Sequence, residues 1–352
     1  MNVVFRVDSS TQLGAGHLMR CLTLSDELQK QNHKITFICK NLNGNLIQLI
    51  KHKVLVLPMQ NKFQIANSFV DSVDEIQDQD AIQTIKAIPK NTDYLIVDCY
   101  SLDEKWHRQL RPYTRKMMVI DDLADKQFDC DILLNQNLGS KQENYQNKTP
   151  YGCKLLLGCD YALLRPEFAL LREKAKEKRK KTKEIKNILI TMGGSDYRNI
   201  TYDVLKQLDN KFNIIVVLGA LSPHNKMIKD YSKDKNIKVI VNANNMAELM
   251  LNADLAIGAS GSTNWERLCL GLPSLVFSVA ENQRKYAIKL YSIGLIKFLG
   301  HVGENNIFNT IEKNILSIDN MSDWSDRCFN SCSCNGVSKV TKTLLDCLAS
   351  DK

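Results

Sequence analysis

Short apolar and β-branched runs recur along the chain, separated by stretches of helical periodicity. A first series stands at residues 3–7, 35–39, 54–57, 94–98, 117–121 and 131–134, and a second at 187–192, 214–218, 238–241, 255–259 and 275–279. This alternation predicts parallel strands joined by crossover helices that lie on the faces of the sheet. Two series predict an α/β protein of two Rossmann-like domains facing across a cleft. The expected division is an N-terminal domain over 1–170, a basic linker over 171–186 and a C-terminal domain over 187–352, with a closing helix at 337–348.

At 352 residues the chain exceeds one ordinary core and fits two domains. Its formal charge of +8 is concentrated, because residues 172–186 hold nine basic and three acidic side chains, a net of +6, and the remainder is nearly balanced. Such a run reads as a solvated helix or linker, and without interleaved aromatic residues it gives no ground for a nucleic-acid partner. No apolar run approaches the roughly 20 residues of a membrane span, so no membrane partner is expected either. Cys39, Cys99 and Cys269 lie in apolar runs and read as small buried hydrophobes. Together with a start that leads straight into a strand, they point to a reducing cytoplasm. Cys328, Cys332 and Cys334 cluster, but no second cluster or neighbouring histidine completes a four-ligand zinc set, so no metal is expected. A monomer is the expected state.

Candidate chemistry follows the first strand of each series. Gly14 and Gly16 form a turn and His17 opens the next helix. Free N–H groups and the positive end of the helix dipole attract anions there, and glycines allow close backbone approach. The dipole also favours the neutral imidazole, the form that accepts a proton. Asp8 is placed to orient that ring or hold a substrate hydroxyl, or else simply to form the turn before Ser9 and Ser10. The glycine spacing falls short of G-x-G-x-x-G, and no acidic residue about 20 positions on ends a second strand, so no dinucleotide cofactor is expected. In the second series Gly193, Gly194, Ser195 and Asp196 offer N–H groups and a hydroxyl to a diphosphate, or a cap to the helix that follows. Ser260, Gly261 and Ser262 end a later strand, and Glu266 falls in the first turn of the next helix. That carboxylate either complements the dipole or accepts two ribose hydroxyls. Tyr100, Asn137 and Arg165 stand at further strand exits, where Tyr100 reads equally as a packed aromatic.

Residues 5–22, FRVDSSTQLGAGHLMRCL, closely resemble the start of the PseG-type hydrolases, the UDP-2,4-diacetamido-2,4,6-trideoxy-β-L-altropyranose hydrolases of pseudaminic acid biosynthesis. Asn245-Met246-Ala247-Glu248-Leu249 and residues 259–273 make the second half similar to the UDP-sugar domain of MurG-like GT-B glycosyltransferases. The resemblance covers nearly the whole chain. It implies the GT-B architecture and a metal-independent hydrolysis that releases UDP and a free sugar with inversion at the anomeric carbon. It further implies His17 as catalytic base and Tyr100 as the active-site tyrosine. Uridine and diphosphate contacts are implied in 192–196, at Met246 and in 260–266, Asn264 included. UDP is already a good leaving group, so donors that stabilise it and a water activated on the opposite face of the sugar account for such a reaction.

The principal alternative is a GT-B glycosyltransferase with the same donor, in which His17 deprotonates an acceptor hydroxyl. Residues 41–80 show no sustained basic amphipathic helix of the kind that serves a lipid acceptor, which favours water. A nucleotide-sugar binding protein without turnover would not need His17. An epimerase would need an acid and base constellation that the sequence does not display.

Overall fold

The computed structural model describes residues 1–58, 73–220, 222–304 and 307–349, so the stretch 41–80 lies partly outside the described residues. They form two units, one of Met1–Leu163 with Gly336–Lys352 and the other of Leu164–Asn335.

In the first unit the chain runs β1 (Asn2–Val7), α1 (Gly16–Lys30), β2 (Lys34–Lys40), β3 (Lys53–Leu57), α2 (Val73–Ala87), β4 (Thr92–Asp98), α3 (Glu104–Leu110), β5 (Thr114–Ile120), β6 (Ile132–Asn135) and β7 (Lys154–Leu157). All pairings are parallel, in the order β3-β2-β1-β4-β5-β6-β7. Apart from Arg6, the interior of strand β1 is apolar on both faces because both are covered. Val3, Phe5 and Val7 pack with Leu18, Cys21 and Leu24 of α1. Val4 packs on the opposite side, in the cluster of Ala81 and Trp106. Burying each of these leucines contributes about 1.5–3 kcal/mol. The strand order reverses between β1 and β4, which places the ends of these two strands at the topological switch point where ligands bind in open parallel sheets. Val7 pairs with Asp98 there.

The second unit runs α4 (Pro166–Lys181), β8 (Asn187–Thr191), α5 (Ile200–Leu205), β9 (Asn213–Leu218), α6 (Asn225–Tyr231), β10 (Ile237–Val241), α7 (Met246–Asn252), β11 (Leu255–Ala259), α8 (Thr263–Cys269), β12 (Ser274–Ser278), α9 (Glu281–Ser292), β13 (Lys297–His301), α10 (Ile311–Leu316) and α11 (Met321–Ser331). Its parallel order is β10-β9-β8-β11-β12-β13, with the switch between β8 and β11. The last helix, α12 (Gly336–Ala349), returns to the first unit. Val337, Val340 and Leu344 join the cluster of α1, and the Tyr94 hydroxyl donates to the Leu344 carbonyl at 3.0 Å. Gly336 is required at the return, since an added Cβ would lie 2.2 Å from the Ala162 carbonyl oxygen.

Four expectations need correction. Strands β7 and β13 add an edge to each predicted sheet; β7 offers only the three leucines after Lys154, too short a run to announce a strand, and β13 mixes apolar with polar residues. The basic stretch is no linker, because most of it is the body of α4, opened by Pro166 at a first-turn position. Arg179, 2% exposed, donates to the carbonyls of Ala253 and Met250 at 2.5 and 2.8 Å and anchors that helix on the second unit. The unit boundaries therefore fall at 163/164 and 335/336, not at 170 and 187. Cys269, expected as a free thiol, forms a disulfide with Cys334. Among the described residues no helix is long and apolar enough to cross a membrane, and no group of His, Cys, Asp or Glu is arranged to hold a metal.

Candidate functional site

Helix α1 begins at Gly16 after a turn in which Gly14 holds φ +76°, a conformation that favours glycine. The N-cap Ala15 has no side-chain cap, and His17 occupies the first turn. Its Nδ1 lies 2.7 Å from Oδ1 of Asp98, the last residue of β4. Arg20, one helical turn after His17, donates to the same carboxylate from Nε at 2.6 Å and from Nη2 at 2.7 Å. Burial alone would push the Asp98 carboxyl up, but Arg20 and His17 together hold it well below the usual carboxylate range. An ionised carboxylate only accepts, so Nδ1 carries the proton in the neutral ring. Nη2 of Arg20 also approaches Nδ1, at 3.2 Å, but its shorter bond goes to Asp98. The His17 Nε2 lone pair is therefore the accepting site, and it has no hydrogen-bond partner among the described residues. The side chain is 15% exposed, enough to meet a ligand.

A second carboxylate completes the cluster. Asp122 accepts from Arg20 Nη1 at 2.8 Å, from Asn137 Nδ2 at 2.7 Å and from the Tyr100 hydroxyl. The Tyr100 ring meets His17 edge to face with centroids 4.5 Å apart. Burial, reinforced by Asp122, pushes the Tyr100 phenol far up, so it serves as an O–H donor and not as a base. Asn137 is steadied through Asn135, whose Nδ2 donates to the Tyr145 hydroxyl at 2.7 Å. The structure thus brings together three of the predicted residues, His17, Tyr100 and Asn137, and joins them through Asp98, Arg20 and Asp122, which the sequence reading missed. One signal was available: positions three apart on a helix share a face, as His17 and Arg20 do.

Asp8 does not orient the ring. Its oxygens accept from Arg6 at 2.7 and 2.9 Å, and Oδ1 also accepts from the backbone N–H of Lys40 at 2.7 Å. Arg6 is fully buried and reaches Asp80 of α2 at 2.6 Å, and Lys40 and Trp106 bond that same carboxylate. Asp8 therefore ties the end of β1 to β2, and the carboxylate that faces the imidazole is Asp98. A polar hollow of about 330 Å³ lined by Glu104, Arg108 and Lys148 lies elsewhere on this unit and includes none of these groups.

In the second unit the loops after β8 and β11 leave neighbouring strands. Gly193, at φ +91°, and Gly194 are exposed, while Ser195 is half-buried. A Cβ on Gly219 would lie 1.7 Å from the Gly194 carbonyl oxygen, so the turn after β9 presses closely on this loop. Asp196 takes the capping alternative, accepting from the N–H groups of Ile200 and Thr201 at 2.9 and 3.0 Å. Burial pushes its carboxyl up, against those bonds. Ser260 and Asn264 are buried and face each other, with Asn264 Nδ2 donating to Ser260 Oγ at 3.1 Å. Arg267 donates to Asn264 Oδ1 and, at 3.0 Å, to the Ala259 carbonyl. These three shape the loop from within, whereas Ser262 is exposed and Gly261 has open space above its Cα. Burial raises Glu266 to about 7, with Arg165 and Arg267 pulling the other way. Arg165 Nη2 lies 3.8 Å from Glu266, so two residues singled out separately in the sequence meet, and Arg165 belongs to the second unit instead of the first. Met246 opens α7 and is half-buried.

Residues 167–294 match the family model described as the glycosyltransferase family 28 C-terminal domain. The chain is 34% identical over 300 residues to an uncharacterized protein of Methanocaldococcus jannaschii, covering 81% of this chain and 57% of that one, so it spans little more than half of that relative. It is 29% identical over 297 residues to the UDP-2,4-diacetamido-2,4,6-trideoxy-beta-L-altropyranose hydrolase of Campylobacter jejuni, covering 84% of this chain and 97% of that protein. Among solved structures, Acinetobacter baumannii MurG superposes with a TM-score of 0.63 at 14% identity, over 98% of this chain and 100% of that one. The resemblance read in residues 5–22 thus extends over most of the chain, and the fold is the two-domain, Rossmann-like GT-B architecture.

Proposed function

We propose that this protein is an enzyme that hydrolyses a UDP-sugar to UDP and the free sugar, and that its substrate is UDP-2,4-diacetamido-2,4,6-trideoxy-β-L-altropyranose. The observation that carries the reading is the commitment of His17 Nδ1 to the buried Asp98, which leaves Nε2 as an acceptor without a partner among the described residues. Such a ring takes a proton from water while the carboxylate stabilises the imidazolium that forms. Likeness to the Campylobacter jejuni hydrolase supports water as the nucleophile and the diacetamido sugar as the substrate. Attack on the face opposite the departing UDP inverts the anomeric carbon through an oxocarbenium-like centre. Backbone N–H groups of the loops 192–196 and 260–262 receive the diphosphate, Glu266 the ribose hydroxyls, and no metal takes part. Tyr100 donates and never accepts a proton in this scheme.

Incubation of the protein with the UDP-sugar in ¹⁸O-labelled water, with no acceptor and with chelator present, tests it. Expected are release of UDP, label on the anomeric hydroxyl and an inverted anomer by proton NMR. His17→Asn should keep UDP binding and lose about 10² to 10⁴-fold in turnover. The family 28 match and the MurG-like fold favour one competitor, a glycosyltransferase. Negligible UDP release until an acceptor alcohol is added would establish that competitor and end the hydrolase reading.

A further inference from the structure

Two carboxylates and one guanidinium surround the candidate base, and they do not act on it alike. Asp98 touches the ring at Nδ1. Arg20 bonds Asp98 twice and Asp122 once, so its single positive charge is divided between two acids. Asp122 holds two groups that touch His17, Arg20 and Tyr100, the latter through its hydroxyl. We propose that Arg20 and Asp122 are positioning residues that set the proton affinity of His17 in opposite directions. Arg20 lowers it by drawing on the Asp98 carboxylate, and Asp122 raises it by drawing Arg20 away from Asp98.

The charge balance explains the assignment. With His17 neutral, Asp98, Asp122 and Arg20 carry two negative charges and one positive, so one proton on Nε2 brings the cluster to neutrality. The remaining titratable groups at the site do not alter the direction. Tyr100 and Cys21 are buried and held protonated, and Cys21 lies against Asp98 at 3.6 Å. Lys126 donates to the Tyr100 carbonyl, and Asp121 bonds Tyr145 and two backbone N–H groups, one step away from the cluster. An opposite charge within about 4–6 Å moves a titration by about one to three pH units.

The inference rests on His17 as the base of the proposed hydrolysis only for its effect on rate; its effect on titration stands apart from any activity. The full-length protein is therefore labelled with [¹³Cε1]-histidine, and the resonance absent from the His17→Asn protein is followed against pH. Asp122→Asn should lower the pH at which His17 takes up its proton by about one unit, and Arg20→Met should raise it by a similar amount. Arg20→Lys, which keeps the charge but not the paired donors, guards against loss of folding and should give a smaller rise. In the active enzyme the acid limb of the kcat/KM profile should move with each midpoint. Shifts of equal sign in the two charge-removing variants, or no shift in either, overturn the proposal. If the midpoints move as stated while no variant or wild type releases UDP, the positioning role stands and the hydrolase reading falls.

Discussion

Gly258 in β11 and Arg267 in α8 occupy adjoining space so closely that a Cβ on Gly258 would lie 2.4 Å from Arg267 Nη1 and 2.6 Å from the Thr191 carbonyl oxygen. The glycine makes room for a buried guanidinium that braces the loop after β11 from below through Ala259 and Asn264. Overpacking at such a point costs about 1–3 kcal/mol. Gly258→Ala should lower the unfolding free energy, read from urea titration, by about that amount and weaken UDP binding, read by calorimetry. A variant as stable as the wild type with unchanged UDP affinity would show that the guanidinium has slack the structure does not display.

Asp98→Asn removes the acceptor that dictates the ring tautomer of His17 and leaves Arg20 with only Asp122. Turnover should fall by about 10²-fold or more while UDP affinity is unchanged, since the loops proposed to hold the nucleotide belong to the other unit. Parallel loss of nucleotide binding would mean that Asp98 serves the fold and not the base.

Asp80 and Asp98 are both held below the usual carboxylate range: burial opposes this, and Arg6 with Lys40 in one case and Arg20 with His17 in the other outweigh it. Groups whose folded value is depressed stabilise the protein above their unfolded value, about 3.9, and that stability is lost as pH falls further. Melting temperature should therefore drop steeply below about pH 4. Asp80→Asn should melt lower at pH 7 and show a shallower acid decline; an unchanged acid slope would remove Asp80 from the account.

Glu266 shifts the other way, raised by burial to about 7. Between its unfolded value of about 4.3 and that point the folded state holds the extra proton, so this group's contribution to stability declines as pH rises through the window. If its carboxylate accepts ribose hydroxyls, UDP affinity should increase as pH passes about 7. Glu266→Gln should bind UDP more weakly and without that increase, as measured by titration calorimetry from pH 5.5 to 8.5. Retention of the pH-dependent increase would assign it to another group.

The Cys269–Cys334 disulfide closes a separation of 65 residues and joins the end of α8 to the segment just before α12. Restricting the unfolded chain over such a loop contributes about 2–4 kcal/mol. Thiol titration in denaturant without reductant should count nine free cysteines. Cys334→Ser should unfold at a lower urea concentration, with an unfolding free energy smaller by about that amount, and eleven reactive thiols in the unreduced protein would show the bond absent.

Eleven of the thirteen strands among the described residues are legible in the chain because a strand covered on both faces must be largely apolar over consecutive positions, as residues 35–39 and 255–259 are. The two missed, β7 and β13, are sheet edges with one neighbour each; β13 is mixed in composition, and β7 offers only three consecutive leucines, too short a run to stand out. Charge counting misread α4 for a related reason. It weighs nine basic residues equally, whereas one of them, Arg179, is buried against three carbonyls.

His17 was legible because its signal is local: a strand, a glycine turn and a helix start within fifteen residues. The groups that give the ring its direction are not local. Asp98 and Asp122 stand 81 and 105 positions away in sequence and arrive beside it because β1, β4 and β5 lie next to one another and end at the same edge. Asp8 shows the converse, being nearer in sequence and committed to Arg6. The sequence by itself determined two parallel sheets and singled out His17 as the candidate base, since hydrophobic period and turn chemistry act over a few residues. Which carboxylate orients that base, which one caps a helix and which is pushed toward neutrality were decided only by tertiary structure, because hydrogen bonding and desolvation depend on distance in space and not on position in the chain.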